Sequence, residues 1–349
     1  MQNGVLKIGI DVGYGDVKTV ASYNGQIEYF KFPTAVAYAG DGFALGGFKA
    51  ETEVSEYKYN GRTYKVGKPA LSCPELFSTR DISFLLTYAP LLVYVALEQL
   101  AKKYSMNFED LAEAEKHLCV GLPLAHWEKH KVKFTDILTS FQVSGRHIRF
   151  DTIEVLPQGQ GVLVDYVLDD SGNENEERGN SNLLIVDIGF NTVDILCVEE
   201  GICSKRWSDM IEGGGICRIC DIMNKHLQKS EVFLPEQAVK DVLLKKELSI
   251  YGQKNDYSTV IRNASEAYTD MLEQEIRSRW APFLQKAHKL ILAGGGAYYV
   301  GNFSGYSPGF VYTPYLSEYC NARGFIKYLV ARCQLPTTEV EGVRDEGLS

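Results

Sequence analysis

Apolar and polar positions fall into alternating blocks along this chain, and the blocks predict strands and helices in turn. Leu6 to Asp11 (LKIGID) is a short apolar run closed by Gly13 and Gly15, which predicts a buried strand. Val17 to Tyr23 is its hairpin return, and the Asn24-Gly25 turn leads into a third strand over Gln26 to Phe32. Residues 34–70 are rich in Gly and Tyr, with short alternating pieces such as Tyr57-Lys58-Tyr59 and Thr63-Tyr64-Lys65-Val66. They predict a small β-rich insertion. Helical spacing of apolar residues covers 80–104, a strand covers Leu118 to Leu122, and another helix covers His126 to Thr139.

A second cycle follows a polar stretch, Asp169 to Asn182 (DDSGNENEERGNSN), which predicts a surface hairpin or a flexible excursion. Leu183 to Asp187 (LLIVD) is then a buried strand, followed by Gly189 and a return strand from Thr192 to Glu199. The order strand, Asp-x-Gly turn, return strand thus occurs at Asp11 and again at Asp187, a weak internal duplication. Helical patterns occupy 216–228, 235–247 and 259–288, and a last buried strand, Leu290 to Ala293, runs into Gly294-Gly295-Gly296. Residues 317–333 predict a closing helix, and the residues after Pro336 a frayed acidic tail. The alternation predicts an α/β protein of two domains, with helices on mixed sheets and a ligand crevice at the strand ends.

Charge and cysteine usage narrow the function. A formal net charge of -9 argues against a broad basic surface, so direct binding of nucleic acid is not expected. The cysteines at 73, 119, 197, 203, 217, 220, 320 and 333 are scattered, mostly in apolar stretches, and predict free buried thiols in a reducing cytoplasm. Met1-Gln2-Asn3-Gly4 runs straight into the first strand, which predicts no secretory leader. Cys217 and Cys220 form a C-x-x-C pair without a second pair at zinc-ligand spacing, and are expected to be helical core positions. His117, His126, His130, His147, His226 and His288 show no metal-site spacing. No apolar run approaches the ~20 residues that cross a bilayer, so no membrane is expected.

The glycine turns carry the chemistry. Mg-ATP needs backbone N–H donors close to its phosphates, and carboxylates that hold the hydrated magnesium. Asp11-Val12-Gly13-Tyr14-Gly15 and Asp187-Ile188-Gly189-Phe190-Asn191-Thr192 each supply a carboxylate at a strand end followed by glycine. A third glycine turn, Gly294 to Gly296, closes another buried strand.

The segment IGIDVGYGDVKT resembles the first phosphate motif of the actin-like ATPases (actin, Hsp70 and sugar kinases), and LLIVDIGFNTVDIL resembles their second. LILAGGGAYYVG is similar to their adenosine motif, and VLPQGQGV at 155–162 to their hinge segment. Within that superfamily the PQGQG hinge, the short length and the closing NARGFIKYL most resemble the bacterial and archaeal ParM/StbA-type plasmid-segregation proteins. The resemblance implies duplicated ribonuclease H-like domains with nucleotide in the cleft between them. Domain I would span 1–160, with 34–70 as a small subdomain and the closing helix at 317–335 returning to it; domain II would span 161–316, followed by a flexible acidic tail, 336–349.

The same resemblance assigns roles. Asp11 and Asp187 would hold magnesium, mostly through water, and Asp187 would help orient the attacking water. Gly13, Tyr14 and Gly15 would approach the phosphates, and Lys18 would reach the β-phosphate. Gly189, Phe190, Asn191 and Thr192 would wrap the γ-phosphate side, with Asp194 supporting their turn. Glu212, Gly213 and Gly214, with Gly215, would approach ribose and adenine, or else form a plain strand-to-helix turn. Gly294, Gly295 and Gly296 complete the adenosine contact. Gln158 would position the lytic water, with Gln160 as the alternative register. Glutamine is a poor base, so slow turnover follows, resting on positioning and electrostatics. The implied function is an ATPase that polymerises with itself into nucleotide-dependent filaments and reaches DNA through an adaptor protein. A sugar-type kinase and a non-polymerising ATPase switch are the alternatives.

Overall fold

The computed structural model describes residues 4–39, 56–73 and 75–334; residues 40–55 of the predicted insertion and the predicted tail at 336–349 lie outside the described residues. In the first half, β1 (Leu6–Val12) and β2 (Asp16–Tyr23) form an antiparallel hairpin. β3 (Gln26–Pro33) follows through Asn24 and Gly25, both at positive φ, as a tight two-residue hairpin requires. β4 (Val36–Tyr38), β5 (Glu56–Tyr59) and β6 (Arg62–Val66) build a separate small sheet in the order β4-β6-β5, so the described part of the insertion is β-rich. Then come α1 (Ile82–Lys103), α2 (Phe108–Glu113), β7 (Lys116–Leu122), α3 (Leu124–Thr139), the β8 (Ser140–Val143) and β9 (Arg146–Arg149) hairpin, and β10 (Thr152–Pro157). The main sheet runs β10-β7-β1-β2-β3, with β7 parallel to both its neighbours.

Helix α1 corrects one expectation. It is long and apolar enough, by length and composition, to cross a membrane. Thr87 and Pro90 break its apolar runs, which hides it from a search for continuous stretches. Most of it is buried, with Leu85, Leu91, Leu92, Tyr94 and Leu97 in the core.

The second half starts with α4 (Gln160–Val167). The polar stretch after it is a hairpin closed by a bridge between Leu168 and Glu174, ending in the short α5 (Glu176–Gly179), rather than a loose excursion. β11 (Leu183–Ile188) and β12 (Val193–Glu199) form a second antiparallel hairpin, flanked by β13 (Ile202–Cys203) and β14 (Asp209–Ile211). α6 (Cys217–Gln228), α7 (Glu236–Lys245), the β15 (Glu247–Ile250) and β16 (Gln253–Asp256) hairpin, and α8 (Ser258–Leu284) follow. α8 kinks at Trp280, just ahead of Pro282, whose ring cannot be accommodated by an unbroken helix. β17 (Lys289–Ala293), β18 (Val311–Tyr312) and α9 (Cys320–Gln334) complete the chain, and the second main sheet runs β13-β12-β11-β17-β18. Cys217 and Cys220 are buried on α6, as core positions.

The two halves repeat one plan. Each carries a buried hairpin with a parallel strand beside its first arm, β7 next to β1 and β17 next to β11. The register is identical: Asp11 faces Lys18 across the first hairpin, and Asp187 faces Asp194 across the second. Each main sheet also has one face covered by a helix next to the domain junction. α4 places Val162 against the core residues Ile185, Leu196 and Ile291 of the second sheet. α9 places Ala322, Phe325 and Leu329 against Val20, Cys119 and Leu156 of the first. The two helices meet at glycines: a Cβ on Gly324 would fall 1.8 Å from the carbonyl oxygen of Gly161.

Candidate active site between the two hairpin turns

The repeated hairpins bring Asp11 and Asp187 into one buried cluster. Lys18 donates to Asp11 Oδ2 at 3.0 Å, and Gln158 donates through Nε2 to Asp11 Oδ1 at 2.7 Å. A carboxylate only accepts, so the amide nitrogen of Gln158 is fixed towards Asp11 and its oxygen is left for another donor. On the other side, Asn321 donates to Asp187 Oδ2 at 2.6 Å and accepts from the Gly159 N–H at 3.1 Å. Sequence reasoning missed Asn321 as a site residue. Its only signal in the chain is its place in NARGF, where Ala322 and Gly324 permit close packing.

Burial sets the electrostatics. Asp187 is pushed up to about 6 by burial and then by the charge of Asp11, against the Asn321 hydrogen bond. Asp194 is pushed up to about 8 by burial and then by Asp187. It accepts from the Leu124 N–H at 2.9 Å and lies 3.2 Å from the Thr192 hydroxyl, so it joins the second turn to the first domain. Burial alone would lower the Lys18 ammonium, yet Asp11 and Asp16 hold it above its ordinary value.

Both turns have their carbonyls tied back. In the first, Gly13 O accepts from Thr34 Oγ1 (2.6 Å), Tyr14 O from Thr79 Oγ1 (2.8 Å), and Gly15 O from Lys240 Nζ (2.9 Å). In the second, the carbonyls of Gly189, Phe190 and Asn191 accept from the N–H groups of Ile216 (3.2 Å), Cys217 (2.8 Å) and Gly215 (3.1 Å). The start of α6 therefore has its donors engaged by the second turn. The glycine run itself forms a strand-to-helix turn, with Gly213 at φ 63°. Glu212 is exposed, and neither it nor Gly213 lines the cleft, whereas Ile216 does.

A cavity of about 200 Å³ opens between the turns, lined by Gly15, Lys18, Gly189, Phe190, Gly295 and Gly296 among others. Gly294, just ahead of these two glycines, stands at φ 81°, where a Cβ would also meet Ile188 O at 2.4 Å and Asp187 Oδ1 at 2.5 Å. Two cations that sequence reasoning missed tie the two halves of the chain together. Lys240, buried on α7, sits 2.7 Å from Asp16, and Arg80 pairs with Glu236 and, at 3.3 Å, with Asp221. Gln160 lies elsewhere, in a separate groove with Leu124, Trp127 and Leu196. Only Gln158 of the two glutamines touches the carboxylate cluster.

Residues 9–161 match the family model for the N-terminal domain of actin-like proteins, and residues 185–304 match that for the C-terminal domain of the archaeal MreB-like actin homologue. No curated protein matches the chain. Among solved structures, the archaeal actin homologue Ta0583 in complex with ADP aligns at 18% identity with a TM-score of 0.72, covering 93% of this chain and 99% of that one. A 15-stranded ParM filament from Clostridium botulinum aligns at 19% identity and a TM-score of 0.70, covering 94% and 99%. Bacillus thuringiensis ParM with ATP aligns at 15% and 0.65, again over 94% and 99%. These likenesses establish a two-domain actin-like fold, and the two family matches, in order and along most of its length, make this chain a member of the actin-like proteins.

Proposed function

We propose that the cleft binds and slowly hydrolyses Mg-ATP, and that the ATP-bound chain polymerises into filaments that move plasmid or other DNA through an adaptor. The observation that carries the nucleotide reading is the tying back of six turn carbonyls around two buried aspartates. Gly13 and Gly189 give their N–H groups to Asp16 O and Thr192 O within the turns, and with the carbonyls engaged the N–H groups of Tyr14, Gly15, Phe190 and Asn191 would be offered to an anion, which a triphosphate supplies. Asp11 and Asp187 would hold magnesium through its water shell, and the ion would supply charge neutralisation for the phosphates. Two buried carboxylates, one already pushed up by burial and then by the other's charge, are a donor set suited to a divalent cation. Lys18 places its ammonium beside the same cluster.

Gln158 gives its amide nitrogen to Asp11, and its amide oxygen would accept a hydrogen bond from the attacking water, orienting it without removing its proton. Lys240 and Arg80 would hold the domains closed around the phosphates and limit the entry of bulk water. The limits 1–160 and 161–316 for the two domains belong to the same proposal. Filament formation is supported by the ParM filament among the structural neighbours, and a DNA adaptor by the acidic net charge.

Sedimentation tests the proposal. Purified protein should pellet above a critical concentration with Mg-ATP and pellet less with ADP, because a filament that binds ATP better than the monomer must be favoured by ATP. Persistent monomers at high concentration with Mg-ATP would remove the filament reading. An ATPase rate that rises on adding a hydroxyl acceptor would instead identify a kinase.

A further inference from the structure

We propose that the acidic hairpin between α4 and β11 of one copy docks in the lysine-lined hollow beside the small sheet of the next, a head-to-tail contact between two copies of this chain. The inference rests on the filament reading of the chain. The hairpin carries the carboxylates of Asp169, Asp170, Glu174, Glu176 and Glu177. Asp169 turns inward, accepting from the N–H groups of Ser171 at 2.8 Å and Asn173 at 2.9 Å, which holds the loop in one shape. Glu174, Glu176 and Glu177 are exposed and have no ion-pair partner among the described residues. The hollow, of about 350 Å³, lies between β3, the small sheet and the end of α1, with Lys31, Lys68 and Lys102 on its walls. Lys68 and Lys102 are exposed and likewise have no carboxylate partner among the described residues. Glu98, the acidic residue of the wall, is already engaged by the Tyr57 hydroxyl at 2.8 Å and by Arg146 at 3.9 Å.

The two patches lie at opposite ends of the sheets, so they do not meet within one copy. β1 and β3 are both antiparallel to β2, which puts Lys31, near the end of β3, at the same end as Asp11 and the cleft. α4 starts two residues after Gln158, beside the carboxylate cluster, and carries the chain away for eight residues, roughly 12 Å, before the hairpin begins. β11 then runs from Leu183 back towards Asp187 at the cluster. The hairpin therefore stands at the far end from the hollow. A contact between two different patches is heterologous, and where its rotation does not close into a ring it repeats into a filament. Opposite charges steer the two patches together and fix their register, and like charges there oppose the approach. Lys31 also lines the nucleotide cavity and is the cross-strand neighbour of Lys18, so the hollow and the cleft share one wall.

The test is the critical concentration for sedimentation of the whole chain with Mg-ATP at fixed ionic strength, in wild type and in charge-reversed variants. Lys68→Glu with Lys102→Glu reverses the hollow, and Glu174→Lys with Glu177→Lys reverses the hairpin. Each reversal should raise the critical concentration by at least about 10-fold, since attraction between the patches becomes repulsion. All four substitutions together exchange the charges of the two patches and should return it to within about threefold of wild type, because opposite charges meet again. None of the four residues lies in the nucleotide cleft, so ATP binding should be unchanged, and an unchanged melting temperature shows that each variant is folded. If a reversal does not fold, Lys68→Gln with Lys102→Gln serves in its place and should raise the critical concentration by about threefold, the size of losing exposed pairs. Reversed variants that assemble as wild type does overturn the proposal while leaving the filament reading intact. Weakened assembly in both reversals without recovery in the fourfold variant overturns it too, and assigns the two patches to separate contacts. Wild type that never sediments with Mg-ATP overturns both this proposal and the filament reading.

Discussion

Lys240 of the second domain donates to the carbonyl oxygen of Gly15 at 2.9 Å and stands 2.7 Å from the carboxylate of Asp16, so one buried ammonium joins the domains beside the first turn. Removing it strands the Asp16 carboxylate, which Lys240 and Lys18 hold below its ordinary range against the effect of burial. Lys240→Met should lower stability by about 3 kcal/mol, the lower end for breaking a buried pair. Urea denaturation of the nucleotide-free protein measures it; a loss under about 1 kcal/mol, the size of an exposed pair, would mean that the clamp stands open in solution.

The two glutamines of the hinge separate cleanly. Gln158→Ala should reduce ATP turnover by about 10²-fold, typical for loss of a group that handles the attacking water, while ATP affinity is kept. Gln160→Ala should hydrolyse ATP as wild type does, because its side chain lies in a different groove. Single-turnover hydrolysis with matched binding measurements decides it, and the opposite pattern would shift the water-orienting role to Gln160.

Asp194 gives a pH dependence with a definite sign. Its folded-state value of about 8 exceeds the ordinary carboxyl value of 3.8, so the folded protein keeps a proton that the unfolded chain releases. The associated stability is complete below about pH 4 and is lost as pH rises through about 8. In the absence of magnesium and nucleotide, the melting temperature should therefore fall between about pH 4 and about pH 8 through this group. Asp194→Asn, which imitates the neutral acid, should flatten that part of the profile. An equally steep decline in Asp194→Asn would assign the effect to other groups.

The contact between α4 and α9 is equally open to test. A methyl group on Gly324 would overlap the Gly161 carbonyl, forcing the helices apart. Gly324→Ala should cost about 1–3 kcal/mol, the usual range for overpacking, despite alanine's better helix propensity. Chemical denaturation reads the change. A stabilised variant would show that the helices separate without cost.

Much of this organisation is legible from the chain. LLIVD, and LKIGID apart from Lys7, are apolar runs ended by an aspartate because both faces of their strands are covered, and such runs announce buried strands. The paired Asp-x-Gly turns are legible for the same reason. Lys240 is not: within EQAVKDVLLK it occupies a polar position of an amphipathic helix, which ordinarily faces solvent, and only the approach of Gly15 and Asp16 from the other domain buries it. Asn321 is hidden likewise, since its partners Asp187 and Gly159 lie more than a hundred residues away. Local spacing carries no information about such contacts. α1 escapes in another way, because Thr87 and Pro90 interrupt a helix that is apolar on nearly every side.

The glycine crossing of α4 and α9 has a mechanical consequence. Asn321 sits at that crossing, against Gly161, and holds both Gly159 and Asp187. Points near a rotation axis hardly travel, while points far from it sweep the widest arcs. If the domains swing about this crossing, the Asn321–Asp187 bond stays joined while the ties at Arg80–Glu236 and Lys240–Asp16 are the ones to part. The molecule would then open like calipers, with its chemical centre near the rivet and its grip at the jaws, so that a slight shift beside Asp187 is geared up into a wide excursion at the rim.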